Sequence, residues 1–351
     1  MTTVLLVIIA VLLFGLIISL HEFGHFFTAK LSGIRVNEFS IGMGPKIFAF
    51  HKGDTQYTLR LLPVGGYCAM EGEDGESEDD RAFNNKPVWK RMIVVVAGAF
   101  MNILLGLVLM SVIVMQSDLL AINQIAAFSE DSRLEAAGAQ VDDYILSIDG
   151  YRIDTETDLS YALGSADPDS VDFVLERNGE KIELNDVTLD SYDTSSGTKA
   201  VVIDFNIYGL EKTPLRVIKK TIANTYSMAR MVIASFIGLV TGKYGLNEIS
   251  GPVGVAQATT EAASTGLETG LSTAINNIIT IMALISVNIG IFNLLPFPAL
   301  DGGRFVLLLI EGIRRKPIPR KYEAYINAAG FAVLILIMIL ITGKDIMGLL
   351  K

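Results

Sequence analysis

A single cysteine, Cys68, stands in a chain of 351 residues that also holds one tryptophan and three histidines. One cysteine excludes an intrachain disulfide and any zinc site built from several thiolates of one chain. Cys68 itself reads as a small buried residue. Basic residues are outnumbered, 28 Lys and Arg against 38 Asp and Glu, for a formal charge of −10. A nucleic-acid-binding face is therefore not expected. Most of the acidic excess lies between Asp118 and Asp204. A second block, EGEDGESEDD from Glu71 to Asp80, reads as a solvated loop.

Apolar residues are abundant, 51% of the chain, and they are clustered. Clustering on this scale points to transmembrane helices joined by polar domains. The first apolar run covers about Val4 to Ala29, interrupted only by His21, Glu22 and His25. The second covers Met92 to Met115, the third Ala274 to Leu295, and the fourth, shorter one Ala328 to Ile341, with Tyr325 and Ile326 as an extension. The first run lacks a basic leader and a small-x-small cleavage motif before polar sequence. It is expected to be a retained span and not a signal peptide. Residues 222–240 are apolar enough to suggest a further span, but Arg230 sits in their middle. An extra crossing there would also put the ends of spans one and three on opposite sides of the membrane. An interfacial amphipathic helix is the better reading. Arg304, Arg314, Arg315, Lys316, Arg320 and Lys321 follow span three, and Lys86, Lys90 and Arg91 precede span two. The positive-inside rule assigns both loops to the cytoplasm. Both chain ends and the acidic domain then face outward, with the site near the cytoplasmic face.

Between spans one and two, residues 33–68 alternate apolar and polar side chains among several glycines and read as β-hairpins. An exposed sheet edge beside the first helix would suit an extended peptide. His51 falls here, outside any ligand spacing, and reads as a surface or structural residue. In the outward region a short helix near Leu134–Ala137 ends at Gly138, and a strand follows in YILSIDG. Another helix is expected over Asp154–Leu163, and a hairpin turns at Asn178-Gly179. This region resembles a PDZ domain, although Asp142-Asp143 stands where that family usually has Gly-Asp.

The chemistry is concentrated in HEFGH, His21 to His25. On a helix the two histidines are one turn apart and can share one ion, and Glu22 can serve as general base. Inside a membrane span such groups are costly unless paired, metal-bound or turned inward, which strengthens the motif. A third ligand is available in Asp301 of LDGG, where Pro296 and Pro298 break the preceding helix. An N-cap role for Asp301 is the plain structural alternative. Asn293 can hydrogen-bond a substrate backbone. The expected cofactor is one zinc ion with a bound water, held by His21, His25 and Asp301. Glu22 would take the proton of that water and return it to the leaving nitrogen.

Together these segments resemble the site-2 protease family of intramembrane zinc metalloproteases, of the bacterial regulator-of-sigma-E protease type (peptidase family M50). HEFGH and NLLPFPALDGG (Asn293 to Gly303) match its two signatures. LLPVGGY at 61–67 and SGPVGVAQ at 250–257 match further segments. AGAFMN at 97–102 matches the second-span signature, except that Ala99 replaces the commoner proline. The resemblance implies cleavage within single-span membrane proteins, such as trimmed anti-sigma factors and signal-peptide remnants. It also implies that Asn293 positions substrate, that Gly65 and Gly66 shape the β region, and that a single PDZ-like domain filters substrates by size.

The expected fold is an α-helical integral membrane core of four transmembrane helices, a membrane-associated β region and one inserted extracytoplasmic PDZ-like domain. The expected divisions are helix 1 with HEFGH at 1–30, the β region and acidic loop at 31–91, and helix 2 at 92–116. The PDZ-like domain at 121–208 and an interfacial region at 213–273 follow. Helix 3 with NLLPFPALDGG takes 274–303, a basic loop 304–322 and helix 4 323–343. The expected location is the bacterial plasma membrane. Two other readings stay open at this level: a proteolytically inactive membrane adaptor and a metal or ion transporter.

Overall fold

The computed structural model describes residues 2–73, 75, 77–193, 199–242, 245 and 251–349. Asp74 and Glu76 of the acidic block, Ser250 of SGPVGVAQ and residues 243, 244 and 246–249 of the interfacial region lie outside the described residues. The chain divides into two compact units, one of Met1–Leu109 with Ser235–Lys351 and one of Met110–Ala234.

The first unit opens with α1 (Thr2–Leu31), then β1 (Val36–Lys52), β2 (Thr55–Met70) and the start of α2 (Val88–Gln116). Where several hairpins were expected there is one long antiparallel hairpin curled on itself. Phe39 pairs with Tyr57 on one side and Cys68 on the other, so residues 38–41 of β1 run between the two halves of β2. The register shifts along the hairpin, and Gly42, Gly44 and Gly65 take positive φ within the strands. Glycines that read as turns therefore serve as irregularities that bend one sheet. Cys68 is buried with Val36, Phe39, Met70 and Phe83 under Ala29, Val94 and Val95, so the hairpin base has an apolar core shared with α1 and α2. Glu38 ties the curl together. It accepts hydrogen bonds from Thr58 (2.8 Å) and Arg60 (2.9 Å), and Arg60 also donates to Tyr67.

The second unit is built on a six-stranded antiparallel sheet. Its strands are β3 (Leu120–Phe128), β4 (Tyr144–Ile148), β5 (Tyr151–Arg152), β6 (Val171–Arg177), β7 (Glu180–Val187) and, after the small pair β8 (Ser191–Asp193) and β9 (Lys199–Val201), β10 (Phe205–Leu210). The order is β10-β3-β4-β6-β7, with β5 on β4. Alternation sends Val171, Phe173 and Leu175 of β6 into a core with Ile125, Ile145 and Ile148. Asn178 and Gly179 both take positive φ, the conformation of a tight hairpin turn, as the sequence suggests. Asp142 has φ 75°, a conformation that costs aspartate less than most residues. Asp143 is fully buried and held by Arg177 through bonds of 2.7 and 2.8 Å.

Two helices flank the strands, α3 (Arg133–Ala136) and α4 (Glu156–Gly164). α4 begins with a reciprocal capping box between Thr155 and Asp158. The helix α5 (Pro214–Val240) explains Arg230, whose charge made residues 222–240 ambiguous. Within this unit Arg230 pairs with Asp158 (2.6 Å) and Asp154 (2.9 Å) and donates to the Arg152 carbonyl, while Ser227 donates to Asp158 at 2.7 Å. α5 is thus fastened along α4 by a buried carboxylate. Burial alone would raise the Asp158 pKa, but Ser227, Arg230 and the Asp154 amide outweigh it and hold the carboxyl below its ordinary value.

The chain ends with α6 (Pro252–Thr269), α7 (Leu271–Leu294), α8 (Asp301–Arg314) and α9 (Arg320–Leu349). Among the described residues, four helices are long and apolar enough to cross a membrane, at Val11–Leu31, Val88–Gln116, Leu271–Leu294 and Lys321–Gly348; α5 is not among them. The stretch 304–322, expected as a basic loop, is helical up to Arg314. Phe305, Val306, Leu308 and Leu309 give it an apolar helical stripe despite its arginines, and Phe305 and Leu308 pack on the hairpin core. The fourth span is longer than its uninterrupted apolar stretch because flanking polar turns continue the helix.

Two consequences are testable. Replacing Asp158 by Ala leaves Arg230 with Asp154 and the Arg152 carbonyl, leaves Ser227 without its acceptor and opens the capping box, and should destabilise the second unit by about 2 kcal/mol; faster hydrogen exchange in α4 and α5 is the readout. Glu38 is pushed up by burial, but bonds from Arg60, Tyr67, Thr58 and Lys46 prevail and hold it at about 2, below its ordinary 4.5. Its contribution is therefore full above pH 4.5 and disappears as pH falls towards 2. Exchange protection of the β1–β2 amides should fall across that window, and Glu38→Gln should flatten the dependence.

Candidate active site

The site begins with helix geometry. In α1, His21 and His25 are four residues apart, so both imidazoles leave the same face. They are buried, 8% and 9% exposed, and meet edge to face with ring centroids 4.8 Å apart. Their Nε2 atoms are 3.2 Å apart.

Asp301 reaches them by way of a sharp break between α7 and α8. α7 stops at Leu294, ahead of Pro296 and Pro298, and Ala299 turns the chain with φ 72°. Asp301 is the first residue of α8; Leu300 is the N-cap, and no side chain caps the helix. The capping alternative for Asp301 therefore does not describe this structure. Gly302 and Gly303 let α8 press against the turn that precedes it. A Cβ on Gly302 would collide with the carbonyl oxygens of Leu294 and Leu295, and one on Gly303 with that of Phe297. Asp301 Oδ2 lies 3.1 Å from His21 Nε2 and 3.4 Å from His25 Nε2.

These three atoms pass a simple test for zinc. Metal–ligand bonds of about 2.0–2.1 Å in a tetrahedron separate neighbouring ligand atoms by about 3.3–3.4 Å. The three separations here are 3.1, 3.2 and 3.4 Å. Asp301 Oδ2 is buried without a hydrogen-bond donor aimed at it, an expensive arrangement that a cation relieves. The His–His–Asp group is also the metal-binding type of cluster found among the described residues.

α2 completes the surroundings. His25 Nδ1 is 2.8 Å from the Val94 carbonyl, which can only accept, so the proton is on Nδ1 and Nε2 keeps a free lone pair. One turn on, Gly98 lies against both rings. A Cβ there would collide with His25 Nε2 and stand 2.7 Å from His21 Nε2. Another turn on, Asn102 faces His21 Nδ1 at 3.3 Å.

Glu22 lines a cavity of about 160 Å³ together with His21, His25, Cys68, Met70, Glu73, Val95, Asp301 and Arg304. Gly66 of β2 passes beside it, its α-carbon direction 3.4 Å from Glu22 Cγ if extended by a methyl. Arg304 pairs with Glu73 at this cavity and covers the Phe83 ring at 4.8 Å. Of the residues singled out from sequence, His21, Glu22, His25 and Asp301 come together. Asn293 is half-buried in the last turn of α7 and is not part of the cavity lining. His51 is exposed near the hairpin tip, opposite Gln56. Sequence reasoning passed over Gly98, Glu73 and Arg304, and gave Asn102 no role within AGAFMN. The one available signal was a lone asparagine inside an apolar span.

An HExxH helix of membrane-spanning length, joined by an aspartate from a second helical segment, defines a membrane metalloprotease. The chain belongs to peptidase family M50, whose profile matches residues 9–337, and it is accordingly a zinc metalloprotease and a multi-pass membrane protein. A Clostridium perfringens protein provisionally named a zinc metalloprotease is 39% identical over 342 residues, covering 97% of this chain and 98% of its own length. The zinc metalloprotease RasP of Shouchella clausii is 31% identical, covering 95% and 97% respectively. The regulator of sigma-W protease RasP of Bacillus subtilis is 30% identical, covering 98% of each. Its alignment occupies 426 positions against 351 residues here, so that relative carries inserted segments.

The contact at Gly98 yields a sharp expectation. Gly98→Ala should improve helix propensity by about 0.8–1 kcal/mol, yet its methyl occupies the space between the imidazoles. The purified variant should fold and hold at least about tenfold less zinc than wild type, as judged by elemental analysis beside a thermal melt.

Proposed function

We propose that this protein is a zinc endopeptidase that cuts single-span membrane proteins within their transmembrane segments. The observation that carries the reading is the convergence of His21, His25 and Asp301 beside Glu22, on a helix of membrane-spanning length.

His21, His25 and Asp301 would hold the ion. Zinc, when bound, polarises the scissile carbonyl and makes water acidic enough to be deprotonated near neutral pH. Glu22, in the same cavity, accepts the proton of the attacking water and delivers it to the leaving nitrogen. The fixed Nδ1–H bond of His25 to Val94 keeps that ring oriented throughout. An extended substrate is required, because a helix hides its own peptide groups. The segment Gly66–Met70 supports such a substrate: it is paired to β1 and its Cys68 and Met70 line the cavity. Asn293 is assigned to the substrate backbone at the end of α7.

Residues 121–208 are read as a PDZ-like filter on the outer side, with the active site towards the cytoplasm and both termini outside. The family's RasP relative bears the name of a sigma-W regulator. That name supports trimmed anti-sigma factors as one substrate class, with signal-peptide remnants as another. The alternatives of an inactive adaptor or a transporter find no support in a cluster that keeps the base beside the ligands.

Purified protein in detergent, given a panel of trimmed single-span substrates, provides the test. Wild type should cleave in a zinc-dependent manner. Glu22→Gln should keep its zinc and lose about 10²-fold or more in kcat, while Asp301→Ala should lose the metal itself. Equal turnover by wild type and Glu22→Gln would remove Glu22 as the base, and zinc retained by Asp301→Ala would remove the third ligand.

A further inference from the structure

We infer that Asn102 is a positioning residue for the metal site: its side-chain oxygen accepts the Nδ1 proton of His21 and so fixes the tautomer that leaves His21 Nε2 free to bind zinc. The inference rests on the assignment of His21 as a ligand.

Asn102 is fully buried within α2, the most apolar of the four candidate spans. An amide in such a place is expensive, so its contact with His21 calls for a reason. Its Oδ1 has no partner, and Nδ2 faces His21 Nδ1 at 3.3 Å. A neutral imidazole binds a cation through the nitrogen that lacks a proton, so its other nitrogen must be N–H. His21 turns Nε2 towards His25 and Asp301, which makes Nδ1 the protonated nitrogen of a zinc ligand. A donor at Nδ1 needs an acceptor. The two ends of an asparagine amide have nearly the same shape, and a half-turn of the group puts Oδ1 where His21 requires it.

The neighbouring ligand shows the same device already in place, since His25 Nδ1 is met by the Val94 carbonyl. Val94, Gly98 and Asn102 recur every fourth residue on one face of α2. They supply an acceptor, a space and a second acceptor to the two histidines. Asn102 is also held from behind: its backbone carbonyl accepts from Ser286 Oγ of α7 at 2.7 Å, and Ser286 is fully buried. The amide is therefore presented from a fixed backbone, as a group that orients a ligand must be.

The test is zinc affinity of the full-length protein in detergent, measured by competition with a chromogenic chelator, with the visible spectrum of the cobalt-loaded protein as a second readout. Asn102→Leu removes the acceptor at similar volume and should weaken zinc about 10–100-fold and shift the cobalt bands. Asn102→Asp keeps an acceptor and should restore affinity to within a few-fold of wild type. If the Leu variant does not fold, as judged by a thermal melt without metal, Asn102→Ala takes its place under the same readouts.

Wild-type affinity in the Leu or Ala variant overturns the inference. So does an Asp variant as weak as Leu, because that points to packing in place of the acceptor. His21→Ala in the same titration separates the two levels. Wild-type affinity there removes His21 as a ligand, whereas a loss there with none at Asn102 removes only the present inference.

Discussion

The cost of placing polar groups in an apolar helix governs this structure. α1 carries two imidazoles and a carboxylate within five residues of a span, and none of them has water on all sides to solvate it. Every neighbouring element answers that cost. α8 brings a carboxylate, α2 a carbonyl and an amide, and β2 a wall of Cys68 and Met70. The geometry follows from satisfaction of those groups, and the ability to hold a cation is what remains when each outer nitrogen has been answered and the three inner atoms have not.

The delivery of Asp301 depends on breaking one helix and starting another within a few residues. Prolines end α7, a positive φ at Ala299 reverses the chain, and two glycines allow α8 to begin in contact with the turn behind it. Gly330 of α9 lies against Pro298, so the same turn is closed from its other side. A carboxylate on a mobile loop would lose much of its value as a ligand, because the entropy of ordering it opposes binding. Here the prolines, the turn at Ala299 and the two glycines set the position of Asp301 within the chain itself.

The cluster of His21, His25 and Asp301 was legible in sequence because HEFGH and LDGG combine chemistry with spacing, and because ionisable groups in a span demand a reason. The hairpin at Asn178-Gly179 was legible because turn chemistry is local. The curl of β1 between two halves of β2 was not, since pairing of that kind depends on distant contacts while its glycines look like ordinary turns. α8 was hidden by its arginines, which suggested a loop although its apolar residues keep helical spacing. Asn102 was hidden for a different reason. A lone asparagine in an apolar run reads as interhelical glue, and only the fold shows that the atom opposite it is His21 Nδ1. Likewise Ala99 in place of proline leaves α2 unbroken through this stretch, and Val94, Gly98 and Asn102 keep their common face.

Charge alone does not decide whether a helix crosses a membrane. α1 carries three ionisable groups near its end and still qualifies by length and hydropathy, and those groups line one cavity with Asp301. α5 carries an arginine at its middle and does not qualify; that arginine is spent on Asp154, Asp158 and the Arg152 carbonyl of its own unit. The same burial rule thus acts in both places with opposite results. In the span, unsatisfied polar atoms are gathered where an ion can complete them. In the second unit, Asp158 is completed by protein donors alone, which leaves it nothing to offer a ligand and makes it a fastener for α5. What separates a candidate catalytic carboxylate from a structural one in this chain is therefore the number of donors already aimed at it, not its depth of burial.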